Sequence, residues 1–317
     1  MISINAMILA AGLGVRLRPY SLARPKPLFP VLGRPLLALI LKQLCRAFPC
    51  TEMSDNRGTR SIVVNAFHLR DQIADFLRGQ ANIRVQMEDR ELGTGGGLRL
   101  AMHGFVNGPV LVTNGDIYHN IDYSQVYEHH IASGHPVTLV LHDCPRFNNV
   151  SVTEEGRILG FGSALRDGAG RHKHSDEVKE LAFTGIHVIN PEILEQIPLG
   201  SFYNIIDRYR ALISRGHTVQ GLVVKDHFWT DMGTPADYLN LHAALLTGKN
   251  LKTAESVTGN PFFISSDAIM GSEVGLNDWV SIGADAKVGK GATLTRVVVW
   301  DGAEVAPGAV LSDTIVV

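Results

Sequence analysis

Acidic residues are missing from the start of this chain. The first Asp or Glu is Glu52, and seven Lys or Arg residues precede it. The whole chain nevertheless has a formal net charge of -2. The asymmetry is therefore local, which excludes wholesale nucleic-acid binding and points to a confined anion site. Cysteine is also scarce. Cys45, Cys50 and Cys144 are odd in number and lack zinc-ligand spacing, which argues against a disulfide framework and fits a reducing cytoplasm. No apolar run approaches the roughly 20 residues of a membrane span. The longest, Pro35 to Leu41, suits a core helix. Neither a secretory signal nor a transit peptide is expected, because a strand-like run leads straight into a glycine turn and prolines follow. With 45% hydrophobic and 19% charged residues, the 317-residue chain has room for one large α/β domain and a smaller one.

The acid-free region holds LAAGLGVRLRPYSLARPKPLFPV at residues 9–31. Ile4 to Ala10 reads as a strand, Ala11-Gly12-Leu13-Gly14 as a flexible turn, and Arg16, Arg18, Arg24 and Lys26 follow among prolines. A glycine turn after a strand lets backbone N–H groups approach an anion, and nearby cations supply charge. A lone GxG marks only a tight turn. Together with Arg16, Pro19, Lys26 and Pro27-Leu28, the segment is far more specific. It resembles the signature of the sugar-1-phosphate nucleotidylyltransferases, LAxGxGxRLxPxTxxxPKPLxPV, with Ser21 in place of threonine and the hydroxyl kept. The resemblance implies that a nucleoside triphosphate and a sugar 1-phosphate give a nucleotide sugar and pyrophosphate.

Downstream, helical and strand patterns alternate. Helices are expected at Leu36 to Phe48, His68 to Arg78 and Gly97 to His103, and strands at Ser61 to Asn65, Ile83 to Met87 and Val110 to Thr113. This rhythm predicts a mostly parallel sheet covered on both faces. Residues 49–60 read as a surface loop, and Val137 to Ile189 as an antiparallel excursion. Ser201 to Arg215 is expected as a helix and Thr218 to Val224 as a strand; Pro235 to Leu246 follows as a helix with Thr234 as its N-cap. The catalytic domain is expected over residues 1–250, with the Rossmann-like fold of the family.

A second regime is expected over 261–317. Apolar residues recur every six positions at Met270, Leu276, Ile282, Val288 and Leu294, then, after a one-residue phase shift, at Val299, Val305 and Leu311. That period suits neither a helix nor a hairpin and predicts a parallel β-helix of about three coils at about eighteen residues each. By resemblance it is a short left-handed β-helix, through which a homo-oligomer could form.

Nucleotidyl transfer brings two charged phosphates together, so it needs cations and a divalent metal. Mg²⁺ favours one or two carboxylates plus substrate phosphates. Asp116, in VLVTNGD, follows a buried strand, and Asp231, in FWTDMGTP, precedes a helix. Each alone could be a turn or cap residue. Both match family positions, so the resemblance makes Asp116 and Asp231 the metal ligands, Arg16 the cation on the triphosphate and Lys26 the cation on the reacting phosphates. It further implies nucleotide contacts from Ala10, Ala11, Gly12, Gly14, Gln86, Gly93 and Thr94. Gln86, Gly93 and Thr94 lie in QMEDRELGTGGG (86–97), a second glycine-rich turn. Sugar contacts fall on Asn114, Asn149, Thr184 and Gly185. The chain departs from many relatives in lacking a Glu-Lys-Pro motif at LGFGSALRDGAG, which leaves mannose 1-phosphate and N-acetylmuramate 1-phosphate both open.

Two other classes are weighed. A non-catalytic regulatory relative would be free to lose Arg16, Lys26, Asp116 and Asp231, and all four are present. An acyltransferase β-helix would call for a histidine base, and none follows His242. His129-His130 and His172-Lys173-His174 are expected on solvated faces.

Overall fold

The computed structural model describes residues 4–49, 60–162, 178–248 and 260–317. Cys50, the 172–174 histidine cluster, most of the 49–60 loop, most of LGFGSALRDGAG and the expected boundary between 250 and 261 lie outside the described residues. Contacts divide the chain into two compact units that interleave in sequence. One takes Met1–Gly12, Gln43–Asn114 and Asp122–Lys225; the other takes Leu13–Lys42, Gly115–Ile121 and Asp226–Val317.

The first unit is built on a nine-stranded mixed sheet. Its centre is four parallel strands in the order Ile83–Met87, Arg60–Ala66, Ile4–Leu9, Val110–Asn114. Met7, Ile8, Val63, Val64, Leu111 and Val112 are fully buried, so both faces of the three inner strands are covered and no hydrophobic alternation shows in them, whereas the edge strand Ile83–Met87 alternates and exposes Arg84 and Met87. Helices Leu36–Ala47, Arg70–Leu77 and Gly93–Ala101 occur between them along the chain. The antiparallel excursion follows as expected. Lys179–Ile189 pairs with Val110–Asn114, Val137–His142 and Val150–Val152. The chain steps from Ile4–Leu9 outwards to Ile83–Met87, then returns to the other side of the first strand with Val110–Asn114. The strand order reverses there, and Leu9 lies beside Asn114 at the carboxyl ends. Ligands of open α/β sheets bind at such a reversal.

One helix, Tyr123–Ser133, was not foreseen, because its histidines and polar residues mask the buried stripe of Tyr123, Val126, Tyr127 and His130. The expectation of a solvated His130 is corrected. It is 2% exposed, with Nδ1 3.0 Å from Thr138 Oγ1 and Nε2 3.1 Å from Asn190 Oδ1.

In the second unit, the expected parallel coil spans Phe262–Val316. Phe262 stacks on Val280, Ile269 on Lys287, and Gly275 on Thr293, all in parallel register. The phase shift read from the sequence is visible in that register. Asn277 pairs with Thr295, but Val280 pairs with Val297, so the upper coil is one residue shorter. Asp278, Arg296 and Asp313 stand at the corner with φ of 57°, 55° and 51°. The Arg296 guanidinium pairs with both carboxylates and holds that of Asp313 down to about 2. Ile282, Val288, Leu294, Val299 and Val305 are buried, whereas Met270, Leu276 and Leu311 are half-buried. The helix Pro235–Thr247 packs on the coil strands, and its N-cap is Thr234 as expected, with its hydroxyl accepting from the Asp237 N–H.

Fully buried histidines, His187 and His242 among them, make the fold acid-sensitive. Burial pushes His187 down to about 3 and His242 to about 4. Both are neutral when folded and titrate near 6.5 when unfolded. The unfolded chain binds more protons below about 6.5, so stability falls as pH drops through that window, by about 2 kcal/mol per histidine at pH 5. His187 packs against Phe183 and Tyr209 with neither ring nitrogen hydrogen-bonded. His187→Phe is expected to remove about 2 kcal/mol of the stability difference between pH 7 and pH 5. Urea unfolding at the two pH values measures it.

Candidate active site

The second unit brings the predicted cations and acids together. Ile117–His119 and Trp229–Asp231 form a two-stranded antiparallel ladder in which Asp231 faces Ile117. That short ladder sets Asp231 beside Asp116, although 115 residues separate them. Lys26 opens a single 3₁₀ turn, Lys26–Leu28, preceded by the extended Pro25. Its ammonium donates to Asp116 Oδ2 at 2.7 Å and to Asp231 Oδ1 at 3.0 Å. The Lys26 side chain is 8% exposed, Asp231 16% and Asp116 37%, so the cluster is shielded on the lysine side and open towards Asp116. Arg16, at the 3₁₀ turn Val15–Leu17, lies 3.5 Å from Asp231 Oδ2, with its side chain 63% exposed. A methyl at Gly233 would stand 2.8 Å from Asp231 Oδ2 and 2.9 Å from an Arg16 nitrogen, so glycine keeps this cradle open.

The carboxylates converge on one cation position, and Asp116 is open to solvent. This donor set fits a hard divalent cation, which takes one or two protein carboxylates and completes its shell with phosphate and water. Two cations and two carboxylates balance in charge, so a phosphate group meets no net negative field from these four residues.

The signature cations separate. Arg24 does not join Lys26. It lies 4.9 Å over the Trp300 ring and 3.6 Å from Asp301. Arg18 is exposed. The hydroxyl of Ser21 has a clear task, donating to the Gly14 carbonyl at 2.8 Å and closing the turn in which Gly14 takes φ 62°.

In the first unit, the strand Ile4–Leu9 ends at Ala10, whose N–H donates to Asn65 Oδ1 at 2.8 Å. Asn65 Nδ2 donates in turn to Glu88 Oε1 at 2.8 Å. Glu88 is 1% exposed, and burial raises its pKa against the hydrogen bonds from Asn65 and Gln86. Sequence reasoning missed this buried relay; Asn65 in a β-branched strand and Glu88 beside a glycine run were its only signals. Ala11 is half-buried and Gly12 exposed, with open space where a side chain would begin.

The expected glycine turn at 86–97 is corrected. The helix Gly93–Ala101 starts within it. Its glycines permit close approach. A methyl on Gly96 would stand 2.3 Å from the Ser201 carbonyl oxygen, and one on Gly97 2.9 Å from both Asn65 and Glu88. The Gly95 N–H donates to the Tyr203 carbonyl, and Thr94 Oγ1 accepts from the Ile205 N–H. Gln86 is 8% exposed and donates to the Gly97 carbonyl at 3.0 Å and to Glu88. The side chains of Thr94 and Gln86 are thus engaged within the unit. Thr184 is also fully buried, donating to the Val140 carbonyl, while Gly185 at φ 80° sits in the register shift between Phe183 and His187. The Thr184 side chain is thus engaged within the sheet. Asn114 is half-buried at a strand end, and Asn149 is exposed. Gly96→Ala is expected to lower stability by about 1–3 kcal/mol through overpacking; a denaturant titration measures it.

The described residues contain no helix long and apolar enough to cross a membrane. The fold is shared with solved structures. HddC from Yersinia pseudotuberculosis, complexed with GMP-PN, superposes with a TM-score of 0.58 at 21% identity, over 75% of this chain and 97% of that one. A putative glucose-1-phosphate thymidylyltransferase from Bacillus anthracis gives 0.61 at 19% identity, over 75% and 94%. Among curated proteins, the mannose-1-phosphate guanylyltransferase of Mycobacterium tuberculosis is 27% identical over 97% of this chain and 83% of its own length. The N-acetylmuramate alpha-1-phosphate uridylyltransferase of Caulobacter vibrioides is 28% identical over 76% of this chain and 96% of its own. The nucleotidyl transferase family profile matches residues 5–248, which include Arg16, Lys26, Asp116 and Asp231, and the chain belongs to that family of enzymes.

Proposed function

We propose that this enzyme transfers a nucleoside monophosphate from a nucleoside triphosphate to a sugar 1-phosphate and releases pyrophosphate. The observation that carries this reading is the Lys26 ammonium held between Asp116 and Asp231, with the Arg16 guanidinium beside them. A phosphate oxygen of the sugar 1-phosphate attacks the α-phosphorus, and the bond from that phosphorus to the β-phosphate oxygen breaks. The attacking oxygen is already anionic, so neither a general base nor a covalent enzyme intermediate is required. Charge builds on the phosphoryl oxygens and the leaving group, and a cation fixed in advance stabilises it without reorganising. Lys26 is such a cation, because two carboxylates orient its ammonium. Arg16 is largely exposed and free to swing from Asp231 to the β- and γ-phosphates. Asp116 and Asp231 would hold Mg²⁺, which when bound supplies further neutralisation of the phosphates.

By resemblance, the turn from Ala10 is assigned to the triphosphate, with the N–H groups of Ala11 to Gly14 as its donors, and Gly93 is assigned to the base. Asn114, Asn149 and the backbone at Gly185 are assigned to the sugar. Alignment with a guanylyltransferase over nearly the whole chain, coil included, favours GTP with mannose 1-phosphate. UTP with N-acetylmuramate 1-phosphate is the second reading, supported by a relative matched over almost its full length. A cytoplasmic setting, where both substrates are made and thiols stay reduced, belongs to the same proposal.

Pyrophosphate release is expected only with a nucleoside triphosphate, a sugar 1-phosphate and a divalent cation together, and chelation should stop it. A panel of four nucleotides against several sugar 1-phosphates identifies the pair. Lys26→Ala is expected to lower kcat by about 10²–10³-fold, and Asp116→Ala to raise the Mg²⁺ concentration needed for half-maximal rate. Undiminished turnover in both variants would sink the assignment. Gly233→Ala, which crowds Asp231 and Arg16, is expected to reduce kcat/KM while the protein stays folded by circular dichroism.

A further inference from the structure

The coil's interaction with the signature segment has no explanation in the reaction described so far. Both belong to the second unit. Trp300, at the end of the coil strand Thr293–Val299, is 3% exposed. Phe29 meets it edge-on with ring centroids 4.7 Å apart, and Tyr20 lies at 6.2 Å. The Arg24 guanidinium covers the indole at 4.9 Å and reaches Asp301, the next coil residue, at 3.6 Å. The indole Nε1–H donates to the Tyr238 hydroxyl at 3.1 Å, and that hydroxyl donates to the Pro30 carbonyl. Coil residue Phe263 stands so close to Gly33 that a methyl there would be 2.8 Å from its ring.

These contacts bracket Lys26. Arg24 precedes it by two residues, Phe29 and Pro30 follow, and the Phe29 N–H donates to the Lys26 carbonyl at 3.1 Å. The turn carrying Lys26 is only three residues long, too short to fix a side chain by its own hydrogen bonds. Lys26 must nevertheless sit within hydrogen-bond reach of two acids at once. An aromatic clamp on both sides of the turn supplies the missing constraint, with the buried indole worth more than its hydrogen bond alone.

We infer that Trp300 is a positioning residue for Lys26, and that the coil is thereby part of the catalytic apparatus rather than only an assembly module. Arg24 accordingly works as a strut between signature and coil, not as a phosphate ligand. The inference rests on the proposed role of Lys26 in nucleotidyl transfer.

The test reads Lys26 in two ways. Trp300→Ala is expected to lower kcat on the order of 10²-fold, the cost of a misplaced reacting group, with little change in the KM for nucleotide. In a Lys26→Ala background the same substitution is expected to have almost no further effect, because residues that act as a unit are non-additive. Independently of turnover, pulse acylation of the full-length protein followed by mass spectrometry should show Lys26 labelled several-fold faster in Trp300→Ala. Val310→Ala, at an exposed coil position, serves as the control and should leave kcat and labelling at wild-type values. If Trp300→Ala does not fold, Tyr238→Phe breaks the same relay while keeping the ring, and a smaller effect of the same sign is expected. Wild-type kcat with wild-type labelling, or full additivity with Lys26→Ala, overturns the inference. Altered labelling in a protein that releases no pyrophosphate would instead remove the nucleotidyl-transfer reading and leave the positioning intact.

Discussion

A lysine ammonium shared by two carboxylates has to be assembled from three remote stretches of chain. Lys26 comes from the acid-free signature, Asp116 from the turn after a central strand, and Asp231 from a three-residue strand far downstream. Leaving Lys26 or Asp231 unpaired on the shielded side of the site costs more than the pair gains, since desolvation is no longer offset. The surrounding structure is organised around keeping the three together. The Ile117–His119/Trp229–Asp231 ladder fixes the acids to each other, and Gly233 leaves room for Asp231 and Arg16 side by side.

Holding Lys26 itself is a different problem, because its turn is short and proline-rich. Phe29, Arg24 and Pro30 tie that turn to Trp300, Asp301 and Tyr238. A parallel coil suits this use. Each rung stacks on the next through a backbone ladder, and Ile282, Leu294, Val299 and Val305 are buried within it, so a residue at its flank is a firm abutment. The first unit shows a comparable device in smaller form. Glu88, Asn65 and the Ala10 N–H form a buried relay that ties the end of the first strand to the glycine-containing helix Gly93–Ala101.

Much of the fold was legible before any coordinates. Ile83–Met87 was read residue for residue, and the helix at Pro235 with its Thr234 cap was placed within a residue, because caps and β-branched runs are local signals. The coil was legible even to its phase shift, since every rung repeats one steric requirement. The errors share one cause. Four glycines at 93–97 suggested an open turn facing a ligand, whereas they allow a helix to approach Ser201–Tyr203 more than a hundred residues on. His130 appeared solvated until the helix carrying it was seen to bury it against Thr138 and Asn190.

The sequence by itself determined the groups available: a glycine turn after a strand, cations with no acid nearby, two carboxylates beside predicted elements and a coil with a six-residue repeat. These follow from residue type and spacing, which local backbone preference and burial translate directly into structure. Only the tertiary structure decided which charges meet. Arg24 and Lys26 are two residues apart and chemically alike, yet one is spent on an indole and a coil aspartate while the other reaches two acids. Charge and residue type alone do not distinguish them, because their partners are Trp300 and Asp301 for one and Asp116 and Asp231 for the other. Those partners are set by contacts across the whole length of the chain.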